Sequence, residues 1–259
     1  MPYADASSFV KASSLAPDGY FAWEAAGLRW LAAADGVPAV EVLETHADRL
    51  VLQRIQATAP SMAGAEALGR GLARTHLAGA PAYGSGPDGW EGDGWLGPLS
   101  EPLPLLLGAY ESWGEMYADL RLSPLVAEGV RRGAFSADDQ RDVERLSDRL
   151  RDGDYDTGEA PARLHGDLWS GNVMWTPDGA VVIDPAAHGG HREADLAMLT
   201  MFGGPHLDRI VAAYDEESPL VDEWRDRLQL HRIHPLLLHA VIFGGGYIGQ
   251  AMAAVRAYL

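Results

Sequence analysis

The sequence predicts an α+β chain of two lobes: a small N-terminal lobe with strands and one helix, and a larger, mostly helical C-terminal lobe. Three observations lead there. Short strand-like runs around residues 8–12, 40–43 and 50–52 are confined to the first 56 residues. Helical apolar spacing dominates from Ser61 onward. One hairpin-like segment, Val173-Met174-Trp175 and Val181-Val182-Ile183 around the turn Thr176-Pro177-Asp178-Gly179, interrupts the helical part. The lobes are therefore divided as residues 1–56 and 57–259, and 259 residues leave room for a sizeable core.

Taken in order, Ser8-Phe9-Val10-Lys11-Ala12 reads as a brief strand. Asp18 is placed to cap a helix on which Phe21, Ala25, Leu28 and Leu31 recur at helical spacing, with Glu24 in its early turns. Val40 to Leu43 and Leu50 to Leu52 read as two strands around a polar turn at His46-Ala47-Asp48. Ser61 is placed to cap a further helix carrying Leu68, Leu72 and His76. Residues 79–104 are rich in Gly, Pro and Trp without periodicity, and read as a long loop. Helices are expected at about 105–127 and 137–151, then an acidic linker at 152–159. From Glu193 the pattern is helical, broken at Gly203-Gly204-Pro205 and Ser218-Pro219.

Composition excludes several classes. Apolar residues make up 47% and charged residues 22%, which rules out wholesale disorder. A net charge of −17 argues against an electrostatic nucleic-acid binder. The absence of cysteine removes disulfides, thiolate metal sites and cysteine nucleophiles together. The opening residues lack a basic start and apolar stretch, so a cytoplasmic location is expected. Leu236 to Val255 carries no formal charge over 20 residues, but His239, Gln250 and Gly244-Gly245-Gly246 favour a buried helix or helix pair over a membrane span. Gly84-Ser85-Gly86-Pro87-Asp88-Gly89 fits G-x-G-x-x-G only formally. It follows a helix, and Pro87 removes a donor a phosphate would need.

Two counts single out residues. Of the 20 basic residues 19 are Arg and one is Lys, Lys11, and the chain has a single Asn, Asn172. Both fall in one constellation. His165-x-Asp167-x-x-x-x-Asn172 has the spacing of a kinase catalytic loop, and Asp184 follows at the end of a strand. Phosphoryl transfer needs a carboxylate to take or orient the attacking hydroxyl, which suits Asp167. It also needs Mg²⁺ on hard oxygen donors, which suits Asn172 and Asp184. A Lys on a strand, paired with a Glu on the next helix, meets the nucleotide phosphates in kinases, and Lys11 with Glu24 fits that pattern.

The runs LHGDLWSGN, IDPA, GHREADLAM and MFGG make the resemblance specific. The chain resembles the fructosamine kinase (ketosamine-3-kinase) family, in the aminoglycoside-phosphotransferase-like branch of the protein-kinase-like two-lobe fold. The resemblance covers residues 8 to 250. It implies Asp167 as catalytic base, Asn172 and Asp184 on Mg²⁺, and Lys11 and Glu24 as the ion pair. It implies the backbone of Gln53 to Ile55 as the adenine hinge, and Asp195 bracing the catalytic loop beside His165. Trp169 would form an aromatic wall for the acceptor. The implied activity uses ATP to phosphorylate the 3-hydroxyl of small-molecule or protein-bound ketosamines. Elimination of the phosphate then frees the amine and repairs glycation.

The family has two strands and a Gly-rich turn before its Lys strand, whereas ten residues precede Lys11 here, so a reduced N-terminal lobe is expected. A lost hairpin, a misassigned start and another means of holding nucleotide stay open. His188-Gly189 replaces the family's aromatic pair. His191, Arg192 and Glu193 are candidate acceptor-cleft residues. His231, His234 and His239 read as core histidines on one apolar helix. No nucleic acid or membrane partner is expected, and a monomer is favoured. Two rivals remain: a kinase of another small hydroxyl compound, and a nucleotide-binding pseudokinase.

Overall fold

The structure is a computed structural model, and it describes residues 7–259. Strands β1 (Ser8–Ala12), β2 (Val42–Thr45) and β3 (Arg49–Gln53) form an antiparallel sheet in the order β1-β3-β2. Lys11 stands opposite Leu50 in that register, and a bulge between Val42 and Glu44 bends the edge strand. Helix α1 (Tyr20–Ala32) packs on the sheet, with Tyr20, Phe21, Ala25 and Leu28 against Leu50 and Leu52. Its cap is Gly19 rather than Asp18. The backbone there has φ +81°, and no side chain caps the helix.

The link from α1 to β2 is tied to the other lobe. Val40 donates to the carbonyl of Val182 at 3.0 Å, Val182 donates back to Pro38 at 2.8 Å, and Ala39 forms a parallel bridge with Val182.

Helix α2 (Met62–Leu77) starts as expected, with Ser61 Oγ accepting the N–H of Gly64. The stretch expected as a loop holds a small hairpin, β4 (Gly94–Leu96) with β5 (Leu103–Leu105). A helix was expected from about 105, but the chain stays non-helical until α3 (Trp113–Met116). It then widens into a π-helical turn, Tyr117–Leu122, before α4 (Ser123–Arg131). Pro124 explains the change, because it has no N–H for the carbonyl four residues back. Helix α5 (Ala137–Arg151) follows, opened by a capping box of Ser136 and Asp139.

Next come β6 (Ala162–Leu164), a short 3₁₀ turn (Ser170–Asn172) and the expected hairpin, β7 (Val173–Thr176) with β8 (Gly179–Val182). A further strand, β9 (His188–Gly190), pairs with β6 where only a glycine loop was legible. Helices α6 (Glu193–Met201), α7 (Leu207–Glu217), α8 (Trp224–His231), α9 (Ile233–Phe243) and α10 (Gly246–Arg256) complete the lobe. The breaks fall where Gly and Pro mark them. The apolar stretch from Leu236 is two helices split at Gly244-Gly245, and no described helix is long and apolar enough to cross a membrane. His231 closes α8, while His234 and His239 belong to α9, so the three histidines do not share one helix. The largest buried cluster joins α4, α5, α9 and α10. A second joins α2, the β7–β8 hairpin, α6 and α7 beneath the 165–172 loop.

Candidate active site

A cavity of about 540 Å³ lies between the lobes and is bordered by Lys11, Glu24, Asp167, Asn172 and Asp184. Each comes from a different local structure. Lys11 is on β1 and Glu24 on α1. Asp167 is in the turn after β6, Asn172 ends the 3₁₀ turn, and Asp184 follows β8.

Lys11 Nζ lies 2.7 Å from Glu24 Oε2 and 3.1 Å from Asp184 Oδ1. Burial disfavours the ammonium, but the carboxylates of Glu24 and Asp184 outweigh it and hold Lys11 up at about 12. Burial pushes Glu24 upward, and Lys11 offsets only part of that. Glu24 is 3% exposed, and its Oε1 has no hydrogen-bond partner.

Asn172 Nδ2 donates to the Asp167 carbonyl at 2.8 Å and to Asp167 Oδ2 at 3.0 Å. The amide thereby clamps the carboxylate. Burial raises Asp167 to about 6, against the pull of Asn172, with Asp184 adding like-charge repulsion. That range suits a group that must be a base near neutrality. Asp184 has φ +53°, uncommon for a residue other than Gly, Asn or Asp.

The loop is braced from behind. Asp195 accepts the backbone N–H of His165 at 2.7 Å and of Gly166 at 2.9 Å. His76 Nε2 donates to Asp195 at 3.1 Å, and its Nδ1 accepts from the Tyr214 hydroxyl at 2.8 Å. His165 Nε2 donates to the carbonyl of Ile183 at 2.9 Å while Nδ1 accepts from the N–H of Asp167. That fixes a neutral tautomer, and burial lowers the pKa of this ring. Gly166 is required here. Its φ is +81°, and a Cβ would lie 2.1 Å from the carbonyl oxygen of Ala186.

The remaining border is aromatic. Trp169, 40% exposed, meets Phe202 edge-on, and Phe202, His239, Phe243 and Tyr247 continue the contact along α9 and α10. His239 is therefore a cavity residue and not a core histidine. Its Nδ1 donates to the carbonyl of Pro235 at 2.6 Å. Trp95 to Leu99, from the β4–β5 hairpin, border the other side, and Trp23 Nε1 ties that hairpin to α1 through the Trp95 carbonyl at 3.0 Å.

Five expected residues are not brought to this cavity. Gln53 is exposed at the end of β3, with its N–H bonded to Glu41, and Ile55 packs under the small sheet. His191, Arg192 and Glu193 are spent elsewhere. His191 bonds Thr157, Arg192 reaches Ser218, Pro219 and Glu159, and Glu193 holds Arg227. Sequence reading missed the bracing role of His76 and the whole aromatic border beyond Trp169.

The donors fit a hard divalent cation. Asn172 Oδ1 makes no hydrogen bond among the described residues, the Asp184 carboxylate is 42% exposed, and the set is all oxygen. The carboxylates of Glu24, Asp167 and Asp184 also outnumber Lys11, leaving the polar end in need of positive charge.

A profile of the fructosamine kinase family matches residues 2–259. A solved chain from Thermobifida fusca with a provisional fructosamine-3-kinase name is 45% identical. The match covers 97% of this chain and 85% of that one, with a TM-score of 0.88. The Synechocystis protein named "Probable ketoamine kinase" is 34% identical over 190 residues, which are 73% of this chain and 60% of that protein, so the match spans only three-fifths of its length. A solved aminoglycoside phosphotransferase, 15% identical, shares the fold at a TM-score of 0.56, over 96% of this chain and 87% of its own. The kinase-like fold and the phosphotransferase constellation agree with that family match across the chain, which belongs to the fructosamine kinase family.

Proposed function

We propose that the chain is an ATP- and Mg²⁺-dependent kinase that phosphorylates a sugar hydroxyl of a ketosamine and so serves deglycation. The observation that carries this reading is the convergence of Lys11, Asp167, Asn172 and Asp184 on one cavity whose opposite border is aromatic. Mg-ATP, when bound, supplies the phosphoryl donor and the cation that neutralises it.

The chain's own groups do the rest. Asp167 Oδ orients the acceptor hydroxyl and takes its proton, and Asn172 Nδ2 keeps that carboxylate from rotating away. Asn172 Oδ1 and the Asp184 carboxylate are the metal donors. Lys11, steadied by Glu24, offers its charge to the phosphates. Trp169 and Phe202 present faces to the C–H surface of a sugar and to a cationic amine. The relatives named ketoamine kinase or ketosamine-3-kinase favour this acceptor over an aminoglycoside or an amino alcohol.

The test is ATP consumption by the purified chain with a ribulosamine or fructosamine acceptor, with and without Mg²⁺. Acceptor-dependent, metal-dependent turnover and a 3-phosphorylated product are expected. Turnover of an aminoglycoside alone would keep the kinase and reject the acceptor. Nucleotide binding without any turnover would make the chain a pseudokinase.

A further inference from the structure

The larger cavity is charged at one end only. Among the described residues on its border, Lys11, Glu24, Asp167 and Asp184 carry the charge. Lys11 is the cation of that set, and it is taken up by Glu24 at 2.7 Å and Asp184 at 3.1 Å. Beyond Asp167, toward α9 and α10, the border is Trp169, Met198, Phe202, Leu238, Phe243 and Tyr247 around His239. Trp169, Phe202 and Phe243 leave much of their rings uncovered, at 40%, 42% and 60% exposure. Neighbouring apolar rings this open mark a surface for a ligand.

His239 stands among these rings, 5.4 Å from Phe202, 5.6 Å from Phe243 and 5.0 Å from Tyr247 between centroids. Its Nδ1 donates to the carbonyl of Pro235, one turn back on α9. A carbonyl only accepts, so the proton of the neutral ring is on Nδ1 and Nε2 presents a lone pair. Nε2 makes no hydrogen bond among the described residues and is not shut off from solvent. Three features therefore turn an anion away from this end. The Nε2 lone pair faces it, the ring faces carry the negative part of the aromatic quadrupole, and neither Arg nor a second Lys borders it. The positive end of α10 opens at Gly245 and Gly246, neither of which borders the cavity.

We propose, on the footing of the kinase reading above, that this end selects ketosamines whose amine substituent is apolar or aromatic and bears no carboxylate, with His239 Nε2 accepting a hydrogen bond from an O–H or N–H of the bound ketosamine. With the reacting hydroxyl at Asp167, the substituent on the amine is the part left to fill the apolar end. Adducts of alkyl and aryl amines, and of a lysine side chain within a peptide, belong to the favoured class. Adducts on the α-nitrogen of a free amino acid do not. They bring a carboxylate, one carbon from the amine, to a wall with nothing to pair it, and an unpaired charge leaving water is costly.

The experiment uses fructosamines that share the sugar and a phenyl ring: the adducts of phenethylamine, of phenylalanine through its α-nitrogen, and of phenylalaninamide. The phenylalanine adduct alone has a carboxylate. Calorimetry on the full chain without nucleotide should find the phenethylamine and amide adducts within about 3-fold of each other, and the acid weaker by about 10-fold or more. With Mg-ATP, kcat/KM should keep that order. Binding of the acid as tight as that of the amine, or an amide as poor as the acid, would overturn the proposal. Affinity is read here without phosphoryl transfer. Equal affinities with turnover of every adduct would reject the preference and keep the kinase, whereas the expected order without any turnover would support the preference and reject the kinase.

His239→Phe keeps a ring and removes the lone pair. KM for the phenethylamine adduct should rise by about 3–10-fold, with kcat moving less than about two-fold. His239→Gln, whose amide oxygen accepts, should recover most of that loss. An unchanged KM in His239→Phe, or no recovery in His239→Gln, would overturn the role of His239.

Discussion

Asp195 grips the backbone of His165, 30 positions earlier in the sequence, accepting its N–H at 2.7 Å, and takes the neighbouring N–H of Gly166 with its other oxygen. A carboxylate that accepts two amides is a geometric ruler for the turn that carries Asp167. His76 closes the third contact and is itself held by Tyr214.

Asp195→Asn should therefore loosen the catalytic loop while keeping side-chain size. The amide can accept only one of the two N–H bonds, and it turns a donor toward the other. A loss of about 1–3 kcal/mol of stability is expected, the usual cost of a buried unsatisfied group. Turnover should fall more than nucleotide affinity, since Lys11 and Asp184, the proposed nucleotide contacts, are not touched. Denaturant titration beside steady-state kinetics checks both; wild-type stability would remove the bracing role.

Asp167→Asn should separate stability from activity. Burial holds the Asp167 pKa at about 6, above its ordinary 3.8. Between those values the folded chain keeps a proton that the unfolded chain has lost, so stability declines as pH rises through that window. The ionised group is then a net cost at pH 7, worth about 1–3 kcal/mol. Asparagine removes the cost, so the variant should melt higher at neutral pH, and the gain should vanish toward pH 4. Turnover should drop by roughly 10²–10⁴. For the parent chain, kcat/KM should rise with pH through about 6. A variant that is less stable at neutral pH would contradict the burial argument.

Phe202→Ala should weaken the acceptor side alone. Its ring meets Trp169 at 6.4 Å and His239 at 5.4 Å between centroids, so it holds the aromatic border together. Acceptor kcat/KM is expected to fall about 10-fold, the scale of one lost aromatic contact of ~1.5 kcal/mol. Mg-ATP affinity should stay within two-fold. Equal losses in both would make this border packing rather than recognition, and Trp169→Ala should repeat the pattern.

Gly94→Ala tests the hairpin over the cavity. A Cβ at Gly94 would lie 2.5 Å from the ring of Trp23, a side chain only 2% exposed. Overpacking of that kind costs about 1–3 kcal/mol. The β4–β5 hairpin must shift, and Trp95 to Leu99 with it, so acceptor KM should rise along with the loss in Tm. An unchanged KM beside a lowered Tm would show that these residues do not meet the acceptor.

The site was legible where chemistry fixes spacing. Asp167, Asn172 and Asp184 lie on one loop and one hairpin, so a short window of sequence contains their geometry. The Lys11–Glu24 pair was legible because a lone Lys on a strand precedes a helical Glu. His76 was not, since it lies 119 residues from Asp195 and reads as one more residue of a helix. Phe202, His239, Phe243 and Tyr247 were hidden for a related reason. Their spacing on helices is the same whether the apolar face meets a core or a cavity. The β4–β5 hairpin escaped because strands of three residues leave no alternation to count. The GHRE run gave no hint in sequence that His191, Arg192 and Glu193 hold Thr157, Ser218 and Arg227.

The stitch between Pro38–Val40 and Val182 acts as an axle. Ile183 and Asp184 follow directly, so the shaft of any lobe rotation passes beside the Asp184 carboxylate. Turning about that line sweeps Lys11 and the rest of β1 through a wide arc while Asp184 stays almost still. The separation between the two residues, 3.1 Å in this arrangement, is then a gauge of how far the cleft has opened. Deuterium uptake would record the same mechanics, with the amides of Val40 and Val182 among the last to exchange and those along β1 well ahead of them.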